Sequence, residues 1–255
     1  MADVFGPAGR GAVEENLETI RSEHNVDFCV VNGENAADGV GITARIARRL
    51  FEAGADVVTT GNHAFRQKGS EPAYDELDYL LRPANLAAPG VPGRGTTVAT
   101  SADGVEVAVI NLQGALFMTT PTSPFLVVDG LVDDALARTS VVLVDFHAEA
   151  TSEKIALAQH LDGRASAVIG THTHVQTNDA RVLKGGTAAL TDAGMCGPHE
   201  SVIGVESELA IRRMRTGMPV RFRPADQGVR LEGALIVVDP TSGRASSCET
   251  FRHPA

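Results

Sequence analysis

The regular alternation of amphipathic segments with short apolar runs is the feature that most constrains the fold of this chain. Four amphipathic segments each lead into an apolar run, and the pairs are 11–24 with 26–32, 42–54 with 55–62, 131–140 with 141–150, and 151–163 with 165–174. Short continuous apolar runs are typical of buried strands, and helices between them cover the faces of the sheet. The pattern therefore predicts an α/β fold.

Two further segments have the pattern of β-hairpins. Residues 96–114 contain two β-like runs around the turn Asp103-Gly104, and residues 229–243 show a similar alternation. Helical units combined with hairpins predict two mixed sheets packed together with helices outside. No internal repeat or long linker divides the chain, so we expect a single domain over 1–255, with a poorly ordered tail after about residue 243.

Composition excludes several classes of protein. The 32 acidic and 22 basic side chains give a formal net charge of −10, which disfavours an extended nucleic-acid groove. The cysteines, Cys29, Cys196 and Cys248, are odd in number and form no C-x-x-C motif, as expected for a reducing compartment. No apolar stretch is long enough for a membrane span. We therefore expect a cytoplasmic protein without a membrane element.

Polar side chains collect where the predicted strands end. The residues at these four ends are Glu34 and Asn35, Asn62 and His63, His147, and the pair His172 and His174. Ligands of open α/β sheets bind beyond the carboxyl ends of the strands, so these side chains should face one region. One such end is weak evidence, because Asn and His are common where strands become loops. Four ends together predict a functional site.

The pair His172 and His174 suggests the nature of that site. In an extended segment, residues i and i+2 point to the same side, so the two imidazoles would share one face at the mouth of a sheet. Two nitrogens that converge on one point suggest a metal ion. By itself the pair fits two solvated loop histidines equally well.

The complete set of polar residues favours a particular metal chemistry. Imidazoles, a carboxylate and amide oxygens suit manganese, iron or zinc better than calcium. They are too many for one tetrahedral ion, whereas two ions about 3.5–4 Å apart, with a bridging carboxylate, would use them all. Such a pair activates water for phosphoryl displacement, and an acid is then needed for the leaving alkoxide. His63, which follows a predicted ligand, is the candidate for this acid.

Several longer motifs carry a family resemblance. In chain order they are NGENAA, GNH, LLRPAN, INLQG, DFHAEATSEK, GTHTHVQT and GMCGPHESVIG. This series resembles the YmdB family of calcineurin-like metallophosphoesterases over almost the whole chain, from about Asp3 to about Val238. The resemblance implies a four-layer α/β/β/α sandwich with a dinuclear iron or manganese site. It also implies hydrolysis of phosphodiesters in cyclic nucleotides, including 2′,3′-cyclic ones, with 3′,5′-cyclic ones as a further candidate.

Matching positions assign roles to individual residues. The resemblance implies that the metal ligands are Asp3, Glu34, Asn35, Asn62, His147, His172 and His174. Glu34 would bridge the two ions, a metal-bridging hydroxide would attack phosphorus, and His63 would be the general acid. His199 is a candidate substrate-binding residue, with a surface histidine as the alternative.

The beginning of the chain departs from the family pattern. The family has an apolar strand before the turn that carries the first aspartate, whereas only Met1 and Ala2 precede Asp3 here. Either the start lies upstream, which we favour, or the chain lacks this strand. In the second case we expect an unpaired strand face and a weakly bound metal, because Asp3 would lie on a fraying terminus.

Two alternative functions stay open at this stage. The same site would serve a phosphomonoesterase or protein phosphatase, and it would also suit a metal-stabilised regulatory binding protein with vestigial catalysis. The expected partner is a small cyclic nucleotide or another phosphodiester. The sequence leaves the physiological substrate, the native metal and a homo-oligomeric state undecided.

Overall fold

The computed structural model describes residues 1–86 and 88–255. The strands in these residues are β1 (Asp3–Val4), β2 (Val30–Asn32), β3 (Val57–Thr59), β4 (Thr96–Thr100), β5 (Glu106–Gln113), β6 (Val141–His147), β7 (Ala167–Thr171), β8 (Arg181–Val182), β9 (Ala188–Leu190), β10 (Met195–Pro198), β11 (Val229–Val238) and β12 (Ala245–Pro254). The α-helices are α1 (Gly6–Glu23), α2 (Ala44–Glu52), α3 (Glu71–Glu76), α4 (Val128–Leu136), α5 (Thr151–His160) and α6 (Ser207–Thr216).

The first sheet is built around the short strand β1. Strand β1 pairs with β10 in parallel, and β10, β11 and β12 follow as antiparallel neighbours. On its other side lie β2 and then β3, which are parallel to each other. The Met1 ammonium donates to the Val30 carbonyl at 2.8 Å, and the backbone N–H of Asn32 donates to the Met1 carbonyl at 3.3 Å. These bonds join β2 to the rest of the sheet.

The second sheet has six strands in the order β4-β5-β6-β7-β9-β8. Strands β5, β6, β7 and β9 are parallel, and β4 and β8 are antiparallel at the two edges. The predicted hairpin at 96–114 is confirmed as β4 and β5, with Thr96 opposite Ile110 and Thr100 opposite Glu106.

Helices cover the outer faces of both sheets, which confirms the predicted four-layer α/β/β/α sandwich. Helices α1 and α2 pack on the first sheet through side chains that include Leu17 and Leu50. Helices α4 and α5 pack on the second sheet through Val132 and Leu157. Between the sheets lies an apolar layer that includes Val57 and residues from β5 and β6. Among the helices in the described part of the chain, none is long and apolar enough to cross a bilayer.

The first strand is short, but it does not leave Asp3 on a fraying terminus. Asp3 is fully buried, and bonds to both neighbouring strands fix the backbone on either side of it. The edge of β11 that faces away from β12 has no strand partner from Ala234 to Val238 within the described ranges. A cavity of about 630 Å³ lies beside this edge, between the sheets and α1. The side chain of Asp3, which the sequence placed on a fraying terminus, is therefore held in a buried position.

The tail predicted to be poorly ordered after residue 243 instead forms β12. This strand pairs with β11 along its whole length and buries Ala245, Cys248 and Phe251. The three buried residues are spaced by three and separated by polar residues, so the segment lacks the period of two that identifies a strand. The prediction was wrong because pairing with β11, rather than local pattern, determines this element.

Candidate metal centre

The four polar strand ends identified in the sequence meet at one edge of the sandwich. Glu34 lies two residues beyond β2 and Asn62 three beyond β3, while His147 is the last residue of β6 and His172 the first beyond β7. Strands β2 and β3 belong to the first sheet, and β6 and β7 belong to the second. The site is therefore formed between the carboxyl ends of two packed sheets.

One half of the site surrounds the Nε2 atom of His147. This atom lies 3.1 Å from Glu34 Oε1, 3.2 Å from Asn62 Oδ1 and 3.0 Å from His172 Nδ1. The rings of His147 and His172 meet edge to face, with centroids 4.7 Å apart. Glu34 and His147 are completely buried. Three of the side chains, Glu34, His147 and His172, each offer a ligand atom within 4.8 Å of the others.

The other half of the site is centred on Asp3. Its Oδ1 atom lies 3.7 Å from His174 Nε2 and 3.5 Å from Asn35 Nδ2, and its Oδ2 atom accepts the backbone N–H of His172 at 3.0 Å. The Nδ1 atom of His174 donates to the carbonyl of Ile203 at 2.9 Å. That bond leaves Nε2 directed at Asp3. His172 and His174 thus belong to different halves.

His63 lies between the two halves and near the surface. Its Nδ1 atom is 2.9 Å from Asn35 Oδ1 and 3.1 Å from Glu34 Oε1. Both neighbouring atoms are oxygens, so Nδ1 carries the proton and Nε2 faces away from them. The side chain is 30% exposed. The structure therefore gives His63 access to a molecule bound at the edge of the site.

The two histidines that follow β7 converge for a reason different from the predicted one. Strand β7 ends at Thr171, and both His172 (φ 103°) and His174 (φ 62°) have left-handed backbones. They do not share the face of an extended strand. Such backbone conformations are costly for residues other than glycine and are common at functional sites. A strained loop, not strand alternation, directs the two rings.

The structure does not join His199 to the cluster. Its Nε2 atom donates to the Met195 carbonyl at 3.2 Å, and Arg230 donates to its Nδ1 atom at 2.9 Å. Its hydrogen bonds therefore tie it to β10 and β11, and none of them reaches a predicted metal ligand.

Two buried groups that support the site were missed in the sequence. Asp145 lies two residues before His147 on β6 and contacts Thr171. The pair Lys154 and Asp192, 2.7 Å apart, is almost completely buried, and Asp192 also accepts the backbone N–H of Thr173, between the two histidines, at 3.0 Å. The motif DFH contained one indication of Asp145, because an ionisable residue within an apolar strand is buried and therefore needs hydrogen-bond partners.

The charges of Glu34 and His147 depend on each other. Burial by itself raises the pKa of Glu34, but His147 and His63 outweigh burial and hold the pKa of this carboxyl well below its usual range. Burial alone would lower the pKa of His147, yet Glu34 and Asp3 together raise it to about 9. The pKa of His172 is lowered, first by burial and then by the charge of His147. Of the two rings, His147 is therefore the more basic.

The same relation holds in the second half of the site. Burial opposes the charged forms of Asp3 and His174, but their mutual contact lowers the pKa of Asp3 and raises that of His174. Burial also raises the pKa of Asp145, against the opposing effect of hydrogen bonds from Thr59 and Thr171.

The donor set fits metal ions. The buried Glu34 Oε1 makes no well-aligned hydrogen bond, although two imidazole nitrogens lie 3.1 Å away. The lone pairs of a carboxylate, an amide oxygen and imidazole nitrogens converge on one small region, an arrangement that suits a bound cation. Nitrogen and oxygen ligands of this kind suit transition-metal ions.

Gly61 permits the close approach of the segment after β3 to this cluster. A Cβ at this position would lie 2.1 Å from Glu34 Oε2 and 2.1 Å from His147 Cδ2. Any side chain there would displace two of the clustered residues. The sequence GNH thus combines the absence of a side chain with the predicted ligand Asn62 and the partly exposed His63.

Comparison with known proteins identifies the family of this chain. The family model described as "YmdB-like protein" matches residues 1–251. The chain belongs to the YmdB-like family. The chain is 45% identical over 249 residues to the Bacillus subtilis (strain 168) protein named "2′,3′-cyclic-nucleotide 2′-phosphodiesterase", with 98% of this chain and 94% of that protein covered.

Two solved structures share the fold of this YmdB-like protein. A protein from Thermus thermophilus, described as hypothetical, has a TM-score of 0.89 at 41% identity, and the match covers 99% of this chain and 98% of that one. A Mycoplasma pneumoniae protein described as a novel phosphatase has a TM-score of 0.90 at 36% identity, with 99% and 91% covered. The shared fold therefore extends over nearly the full length of each chain.

Proposed function

We propose that this protein is a metal-dependent phosphodiesterase that hydrolyses 2′,3′-cyclic nucleotides. The observation that carries the proposal is the convergence of Glu34, His147 and His172 at the carboxyl ends of the strands. The name of the Bacillus subtilis relative supports both the phosphodiester bond and the cyclic substrate. A site that is partly exposed at His63 and buried at Glu34 suits a small molecule rather than a long polymer.

The ligand set divides into two groups, which supports two ions per chain. Asn62, His147 and His172 would hold one ion, and Asp3 and His174 would hold the other. Glu34 lies against the first group, and its negative charge raises the pKa of the Asp3 carboxyl, so Glu34 would help to hold both ions. Asn35 contacts Asp3 and His174 through its amide nitrogen Nδ2, which donates and does not bind a cation, so it would orient the ligands of the second ion. Iron and manganese both suit these ligands.

Bound divalent ions would supply activation of a water molecule and neutralisation of charge on the phosphoryl oxygens. The residues of the chain provide position and a proton. Asp3 fixes the backbone N–H of His172, and Ile203 fixes the ring of His174, so the ligands are oriented before substrate binds. This pre-organisation lowers the cost of binding the transition state.

His63 would donate the proton to the leaving oxygen. Hydrolysis forms a bond between water oxygen and phosphorus and breaks the bond from phosphorus to the 2′ oxygen, which must gain a proton. Asn35 and Glu34 hold the Nδ1 side of the ring, so a protonated Nε2 would face the substrate. The expected product is the 3′-monophosphate.

A comparison of substrates tests this proposal. The metal-reconstituted protein is assayed side by side with 2′,3′-cyclic AMP, 3′,5′-cyclic AMP and 3′-AMP, and the products are separated by chromatography. We expect conversion of 2′,3′-cyclic AMP to 3′-AMP with little further release of phosphate. Preferred hydrolysis of 3′-AMP would instead favour a phosphomonoesterase, the activity suggested by the description of the Mycoplasma relative. Absence of turnover on every ester with metal bound would favour a regulatory binding protein.

A further inference from the structure

Asp145 is a buried carboxylate that lies behind the site. Its hydrogen bonds go to residues other than the proposed metal ligands. Its side chain accepts from Asn32 Nδ2 at 3.0 Å, from Thr171 Oγ1 at 2.8 Å and from the hydroxyl of Thr59. A residue of this kind is costly to bury, and three donors offset that cost. The position of Asp145 therefore needs an explanation beyond packing.

The hydrogen bonds around Thr171 have a fixed direction. An ionised carboxylate only accepts, so the single hydroxyl proton of Thr171 is directed to Asp145 Oδ1. The two lone pairs of Thr171 Oγ1 are then left to accept, one from Asn32 Nδ2 at 3.3 Å and the other from His147 Nδ1 at 3.0 Å. His147 must therefore carry a proton on Nδ1. The carboxylate determines, through one hydroxyl, which ring nitrogen is the donor.

We infer that the chain Asp145–Thr171–His147 holds His147 in the tautomer whose Nε2 lone pair faces the metal site. Nε2 is the atom that meets Glu34 Oε1 and His172 Nδ1 at 3.1 and 3.0 Å. A second hydrogen bond on the remote nitrogen commonly orients metal-bound imidazoles and increases their basicity. Asp145 and Thr171 are thus positioning residues, and this role rests on the proposed metal site.

Three variants separate this role from simple packing. Thr171→Val keeps the shape of the side chain but removes the hydroxyl, whereas Thr171→Ser keeps the hydroxyl. Asp145→Asn keeps the shape of the carboxylate but offers an N–H to Thr171, which reverses the hydrogen-bond direction and favours a proton on Nε2. Since Asn32 and Thr59 can still donate to the remaining oxygen, this variant changes polarity with little change in volume.

The test measures Zn²⁺ affinity of the full chain by competition with a chelator, with thermal unfolding of the metal-free proteins as a control. Loss of a hydrogen bond behind a ligand typically weakens metal binding about 10- to 100-fold. We expect that loss for Thr171→Val and Asp145→Asn, and near-native affinity for Thr171→Ser. Nitrogen-15 NMR of the Zn²⁺ form should show a protonated Nδ1 on His147 in the native and Ser proteins.

The outcomes distinguish this inference from the proposed function. Native affinity in both Thr171→Val and Asp145→Asn would overturn the inference while the metal site remained established. An unprotonated Nδ1 in the native Zn²⁺ form would also overturn it. A native protein that binds no Zn²⁺, manganese or iron would overturn the proposed function, and with it the inference.

Discussion

At the scale of single residues, His63 is the group whose replacement separates proton donation from metal binding. Its ring contacts Asn35 and Glu34 through Nδ1 only and is partly exposed. We expect His63→Asn to retain the metal content of the native protein and to lower kcat by about 10²- to 10⁴-fold, the usual contribution of a general acid. Elemental analysis and steady-state kinetics check both results.

A control histidine makes the His63 result specific. His160 lies at the end of α5, is 40% exposed and pairs with Asp129, which does not belong to the cluster. His160→Asn should leave kcat unchanged. Native kcat in His63→Asn would remove this residue from the mechanism, and loss of metal would reassign it as a ligand.

The buried pair of Lys154 and Asp192 gives a prediction about stability. The two side chains are 3% and 1% exposed, and Asp192 also holds the loop between the paired histidines. Lys154→Met leaves this carboxylate without its cation, which typically costs about 3–5 kcal/mol. Urea unfolding should show such a loss, whereas Lys184→Met, at a less buried position, should change the free energy of unfolding by less than about 0.5 kcal/mol. Equal effects of the two substitutions would contradict the role given to the pair.

The residues of the site could be predicted from the sequence more easily than their geometry. Polar groups at four strand ends indicated the cluster, because parallel strands place their ends together. The sequence did not indicate the left-handed backbones of His172 and His174, since such conformations are imposed by surrounding contacts. Asp145 was missed for a similar reason, because its donors come from β2, β3 and β7.

At the scale of elements, β12 is tested by the aromatic side chain that it buries. Phe251 is 8% exposed and packs against the core formed by α1 and the first sheet. Phe251→Ala should lower the free energy of unfolding by about 3–5 kcal/mol. The matched variant Phe222→Ala, at a side chain 44% exposed that stacks with Arg213, should cost about 1 kcal/mol or less. An unchanged free energy of unfolding in Phe251→Ala would show that the tail is poorly ordered, as its sequence suggests.

The elements that the sequence predicts well are those with local signals. Helix α2 has amphipathic spacing and the N-cap Thr43, whose hydroxyl accepts from the amide of Ile46 at 3.3 Å. The hairpin of β4 and β5 has its Asp-Gly turn. By contrast, β1 and β12 are strands only because neighbouring strands pair with them, and such non-local pairing leaves little trace in sequence.

At the scale of the whole molecule, metal binding is linked to the release of protons from the ligands. In the metal-free protein the pKa of His147 is raised to about 9, so the ring is protonated at neutral pH. An ion can bind to Nε2 only after that proton leaves. Metal affinity should therefore increase about tenfold per pH unit as pH rises toward 9, and then level off. Calorimetry in buffers of different ionisation enthalpy should detect a released proton at about pH 7.5, and metal binding without proton release would contradict the assigned charge.

The most direct test of the account is a metal titration of the chelated protein, with hydrolysis of 2′,3′-cyclic AMP as the readout. We predict that activity is absent without metal, returns as manganese or iron is added, and reaches its maximum at two ions per chain. Glu34→Gln, which removes the charge of the proposed bridge, should bind less metal and recover little activity. Full hydrolysis by the metal-free native protein would contradict the account.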